Sequence, residues 1–144
     1  MRSARRLPYG DTVLALPWTG VRRSDPLGVC TIFAGRLPMR SYRHMPRLLW
    51  FAARIRRQLS HTPGVLGYAF ALDLRSTALW TVSAWSDRAS LATFDRTAPH
   101  RTARRVLGSV MLPPTFAVWT WRIDQLPVPW HETRMRVREA GSGS

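Results

Sequence analysis

One histidine stands where a base or a metal ligand would be placed. In PHRTARR, Pro99 to Arg105, His100 follows a proline at the opening of a helix and is surrounded by arginines. Proline suits a first helical turn, because its missing N–H would have no partner there. A helix N-terminus and nearby guanidinium groups both disfavour imidazolium, so the ring is expected to be neutral at pH 7. A neutral imidazole can accept a proton from a phenol-like substrate or ligate iron. With His100 at 0° on a helical wheel, Ala103, Val106, Leu107 and Val110 fall between about 240° and 340°, and Arg104 at about 40°. His100 thus stands at the margin of the buried face. Two readings follow: a base or ligand at the lip of a pocket between sheet and helices, or a helix-edge histidine bonded to backbone.

The other candidates are aromatic or basic. Tyr68, Trp85, Phe94 and Trp119 could line the same pocket and hold a flat substrate. Core packing is the competing role for each, and a buried Tyr68 hydroxyl would then need a partner. Arg104 could bind an anionic substrate group or stand solvated. His44 and His61 flank the first helix as loop or capping residues, and His131 in PWHET reads as surface. No spacing among the four histidines resembles a metal site. The carboxylates are too scattered for a paired-carboxylate hydrolase. There is no dinucleotide fingerprint or phosphate loop, and no nucleophile elbow. Cys30 falls mid-strand, where a buried inert thiol is expected.

A chain of 144 residues suffices for one domain with a real core. The single cysteine excludes an internal disulfide, so the fold needs no oxidising compartment and the cytoplasm is expected. The longest apolar run, Leu48 to Ala53, is far short of the ~20 residues that a membrane-spanning helix needs. The formal charge is +14, yet all 22 basic residues are arginine. Selection for phosphate binding would not exclude lysine, whereas a GC-rich genome would. The arginines are also spread along the chain, so nucleic acid is not the expected partner.

The elements that must position these residues can be read from periodicity. Met1 to Leu27 reads as an extended arm, residues 28–133 as the folded domain, and Arg134 to Ser144 as a frayed tail whose final GSGS has the composition of an appended tail. Strands are expected at Val29 to Leu37, Val65 to Leu74, Thr77 to Trp85 and Thr115 to Ile123. The second and third are separated only by Arg75-Ser76, which is hairpin spacing. A helix is expected over Pro46 to Leu59, with Leu48, Phe51, Ala52, Ile55 and Leu59 on one face. Trp50 falls on its polar side. A second helical region starts at Ser86-Asp87, good cap residues, restarts near Thr97 to Pro99, and ends around Met111. The order β-α-β-β-α-β predicts a ferredoxin-like α+β fold, an antiparallel four-stranded sheet with both helices on one face. In the last strand Phe116 and Val118 point one way and Ala117, Trp119 and Trp121 the other. Leu66, Tyr68, Phe70 and Leu72 share one face of the second strand. Both faces of the sheet are apolar, so a partner sheet is expected to cover the second one in a face-to-face dimer.

Three stretches carry a family resemblance: PGVLGYAF (Pro63 to Phe70), LWTVSAWSDRASLATFDRTAPHRTARR (Leu79 to Arg105) and FAVWTWRIDQLPVPWHE (Phe116 to Glu132). The chain resembles the dimeric α+β barrel superfamily that includes the antibiotic-biosynthesis monooxygenases, and within it an uncharacterised bacterial branch. The resemblance implies a homodimer and a monooxygenase-like enzyme of secondary metabolism, with an aromatic or polyene-like substrate. His100 matches the histidine of that branch and would be the catalytic base. No cofactor is assured. Haem is the alternative, since the superfamily also holds haem-degrading oxygenases and haem-binding relatives, but the haem-ligand position of the former falls near Arg104 here. A non-catalytic haem- or metabolite-binding protein on the same scaffold is the other reading.

Overall fold

A computed structural model of the chain describes residues 5–6, 13–21, 27–96 and 100–142; for Arg5, Arg6, His100 and Arg101 the description is of the backbone alone. In chain order the elements are β1 Arg5–Arg6, β2 Val13–Ala15, β3 Thr19–Gly20, β4 Val29–Pro38, α1 Met45–Ser60, β5 Val65–Asp73, β6 Ala78–Trp85, α2 Arg88–Asp95, α3 His100–Leu107, β7 Thr115–Arg122 and α4 Trp130–Ser142. The four long strands lie in the order β5-β6-β4-β7, all antiparallel. With α1 and the α2–α3 pair between them, this is the expected ferredoxin-like arrangement. The arm contributes to the sheet as well: β2 and β3 pair on the outer edge of β5, and β1 pairs on β2.

Local chemistry explains the joints. Asp87 caps α2 by accepting a bond from the Ser90 amide at 2.7 Å, satisfying one of the amides that a helix start leaves free. The β5–β6 hairpin lacks the glycine or asparagine usual in such turns. Asp73 instead accepts bonds from the amides of Arg75 (3.1 Å) and Ser76 (3.3 Å), and Thr77 takes a positive φ of 51°. The loop is therefore longer than the two residues expected, running from Leu74 to Thr77.

One register differs from the simple alternation. Val65 pairs with Trp85 and Gly67 with Ala84, so a bulge falls at Leu66. The extra residue turns Leu66 to the opposite side of the sheet from Tyr68 and Phe70, and Val65 joins them instead. Gly67 follows because the Trp18 ring of the arm lies against its backbone, 2.5 Å from where a Cβ would stand.

Each face of the sheet carries its own core. On one, Tyr68, Phe70, Leu79 and Trp85 pack against Leu48, Phe51 and Leu59 of α1, Phe94 of α2, and Ala103 and Leu107 of α3. On the other, Ile32, Ala34, Val82, Ala84 and Trp119 pack with Trp18, Leu126, Val128 and Val137. Fully burying a side chain of this size stabilises by about 1.5–3 kcal/mol.

The second core corrects two expectations. Residues 134–142, read as a frayed tail, continue the helix α4, which covers that face. Thr133 and Val137 are one turn apart and buried at 0 % and 2 % exposure, and Glu132 pairs with Arg136 at 3.0 Å. Only a narrow stripe of this helix is apolar, so its periodicity is hidden among charges. The face reserved for a partner sheet is thus covered by the chain itself, and the stated reason for a face-to-face dimer falls away. Among the described residues no helix is long and apolar enough to cross a membrane.

Candidate functional site

A cavity of about 780 Å³ lies between the sheet and the helices, within the ~300–1,000 Å³ usual for small-molecule sites. Its floor is Phe33 and Leu37 of β4, Thr81 and Ser83 of β6, and Phe116 and Val118 of β7. Leu48, Phe51 and Ile55 of α1, Leu91 and Phe94 of α2, and Ala103 and Leu107 of α3 form the opposite wall. Strand alternation brings Phe33 and Phe116 to the same side, where their rings stack at 5.3 Å. Gly35 permits this, because a Cβ there would meet the Phe116 ring at 2.7 Å. Phe116 and Val118 remain 45 % and 42 % exposed, which marks the mouth of the cavity along β7, an edge strand.

The polar groups of the wall are few. The Tyr68 hydroxyl lies 2.6 Å from Ser60 Oγ. Ser60 donates its own proton to the Arg56 carbonyl at 3.3 Å, so Tyr68 is the donor of the pair. Arg104 Nη1 meets Asp95 Oδ2 at 2.9 Å across the gap between α3 and α2, and Arg40 and Arg88 also line the cavity. Three guanidinium groups and one carboxylate give the rim a positive balance, and arginine pairs well with anionic groups.

The structure sorts the expected site residues. Tyr68, Phe94 and Arg104 all line the cavity. Trp85 does not reach it. Its side chain is fully buried, its Nε1–H donates to Ser83 Oγ at 2.8 Å, and its ring lies 5.2 Å from Phe94. Trp85 therefore supports two wall residues from behind. Trp119 faces the other way, into the core under α4, with the Arg136 guanidinium 5.4 Å above its ring. Alternation along β7 requires this once Phe116 and Val118 face the cavity. The side chain of His100 lies outside the described residues. Its backbone opens α3, and position 100 shares the helical face of Ala103, Arg104 and Leu107.

Phe33, Phe51, Phe116, Arg40 and Arg88 line the cavity without having been singled out from sequence. The alternation showed that Phe116 and Val118 share a face, but not that this was the helix-covered one. Among the described residues no three His, Cys, Asp or Glu side chains come together as a metal site. For a haem, the described wall offers arginines for the propionates but no imidazole or thiolate, the usual proximal ligands. On these residues alone haem does not fit.

The fold is shared with proteins carrying monooxygenase names. No family model and no curated protein matches the chain. Among solved structures, a Fusobacterium nucleatum protein provisionally named a monooxygenase superposes with a TM-score of 0.61 at 7% identity, covering 72% of this chain and 48% of its own. The chain thus spans about half the length of that protein. A Deinococcus radiodurans protein provisionally named an antibiotic biosynthesis monooxygenase gives 0.56 at 18% identity, covering 62% of this chain and 89% of its own. PA3566 of Pseudomonas aeruginosa gives 0.58 at 14% identity, with 65% and 94% covered. At these identities the likeness is one of fold.

Proposed function

We propose that the chain is a monooxygenase-like enzyme of small-molecule metabolism, and that its substrate is an aromatic or polyene-like molecule held between sheet and helices. The observation that carries this reading is the aromatic-walled cavity of about 780 Å³, on a fold shared with proteins named for oxygenation. Phe33, Phe94 and Phe116 would hold a flat conjugated system, and Arg104 an acidic group on it.

The chemistry that suits such a wall needs a substrate with an acidic CH₂ between conjugated groups. His100 is the proposed base, taking one proton. The resulting carbanion transfers electrons to O₂ and forms a C–O bond, and the imidazolium protonates the peroxide anion to the hydroperoxide. Loss of water then leaves a carbonyl, so that CH₂ and O₂ become C=O and H₂O. An apolar cavity strengthens the electrostatic contribution of any group that stabilises the anion.

Oxygen uptake with a tricyclic anthrone tests the proposal. The native chain should accelerate uptake, and His100→Ala should lower it by about 10²–10⁴-fold, the range of general-base catalysis, with unchanged circular dichroism. Equal rates in both would remove His100 from the mechanism. A second reading, a non-catalytic binder, is favoured by the described wall itself, where the carboxylate Asp95 is paired with Arg104 and Tyr68 is bonded to Ser60. Binding of the anthrone without turnover in either protein would select it. A Soret band on adding haem, lost in His100→Ala, would restore haem with His100 as its ligand. A homodimer, as the resemblance implies, would meet through a surface other than the sheet face under α4.

A further inference from the structure

A second cavity, of about 700 Å³, lies on the other side of α1, beneath the arm strands β2 and β3. It shares four wall residues with the first: Ala52, Tyr68, Phe70 and Leu79. The helical wheel shows how. Ala52 is central on the underside of α1; Leu48, Phe51 and Ile55 fall to one side of it, and Leu49, Ala53 and Arg56 to the other. The first group lines the first cavity and the second group lines the arm cavity. The two cavities therefore share a wall beneath the helix, at its smallest inward side chain. Their walls differ in chemistry. Phe33, Phe51, Phe94 and Phe116 stand among the leucines of the first cavity alone, whereas Leu14, Leu16, Leu49 and Leu72 line the arm cavity, where Tyr68 and Phe70 are the aromatic residues and are shared with the first. Arg56 and Arg57 line the arm cavity, no carboxylate does, and neither arginine pairs with a carboxylate among the described residues.

We propose that the two cavities are one channel passing beneath α1, and that its ligand is an amphiphilic acid with a conjugated ring system in the first cavity, an aliphatic chain under Ala52, and a carboxylate beside Arg56 and Arg57. This rests on the reading of the first cavity as the ring-binding site. The channel sets a length requirement. A helix with its side chains is about 10–12 Å across, so a short acyl tail stays on the ring side while a dodecanoyl tail reaches the arginines.

Three pyrene probes separate the elements of the proposal by fluorescence titration: pyrenyl-dodecanoic acid, pyrenyl-butanoic acid and pyrenyl-dodecanol. The native chain should bind the dodecanoic acid at least about a hundredfold tighter than the butanoic acid, because the extra methylenes become buried. Ala52→Phe, which fills the passage, should abolish that gain, so that the two acids bind with equal affinity. The double variant Arg56→Glu/Arg57→Glu changes only exposed side chains. It should weaken the dodecanoic acid about tenfold or more and spare the dodecanol. Equal affinity for both chain lengths, or a chain-length gain that survives Ala52→Phe, would overturn the channel while leaving the ring site intact. Should Ala52→Phe fail to fold, the double variant decides: no loss, or equal loss of acid and alcohol, overturns the proposal. Failure of every probe to bind would sink the ring site and the channel together.

Discussion

At the scale of single residues, burial decides what a reactive group can do. Cys30 is 3 % exposed, and desolvation pushes its thiol from 9.0 up to about 11. The protonated sulfur donates to the Trp121 carbonyl at 3.4 Å. It is an inert core group, as its place in a strand suggested. A raised value in the folded state has a fixed sign: the stabilisation is complete below about pH 9 and is lost as pH rises through about 11. Cys30→Ala should therefore lose less stability across that interval than the native chain, as urea unfolding at a series of pH values would show. Parallel curves for the two proteins would mean that other groups cause the alkaline loss. Tyr68 shows the same principle at the site. Its hydroxyl was expected to need a partner, and Ser60, eight residues earlier at the end of α1, supplies it.

At the scale of elements, the helix starts are set by local chemistry. Asp87 lies before the first turn of α2, and the Ser90 amide that it accepts holds its carboxyl below the usual range. A lowered value in the folded state gives stabilisation that is present above pH ~4, the ordinary aspartate value, and lost as pH falls through the folded value. Asp87→Asn keeps an acceptor and should preserve the helix while removing this acid sensitivity. Asp87→Ala should speed amide exchange in Arg88 to Leu91 at neutral pH. Unchanged exchange in the alanine variant would show that packing of Phe94 on Trp85 holds α2 without its cap.

At the scale of the whole molecule, the second core depends on α4. Val137 is buried beside Thr133 on the face that packs over β7 and β4. Val137→Asp would place an unpaired carboxylate in an apolar core and should cost at least about 3 kcal/mol. Urea unfolding measures the loss, and binding of a hydrophobic dye should rise as Trp119 and its neighbours are uncovered. A variant of native stability would mean that the sheet face is held by other contacts.

The order of elements was legible in the sequence because strand and helix periodicities are local. Val29 to Leu37 and Thr115 to Ile123 lie within a residue of the observed strands, and Asp87 was identifiable as a cap from its type and position. The candidate site was legible in part. Tyr68, Phe94 and Arg104 do share one cavity, because the β-α-β-β-α-β order itself forces the sheet and the helices to enclose it. The rest required the tertiary structure. Alternation divides β7 into two sets of residues but does not say which set meets the helices, so Trp119 was placed with the site when Phe116 and Val118 belong there. A bulge at Leu66 shifts the alternation by one residue without any mark in composition. The arm and α4 are too short or too charged to announce their burial, since each contributes only a few apolar side chains to a surface formed by distant strands. What periodicity fixes is the form of each element; which faces meet is set by packing among residues far apart in the chain.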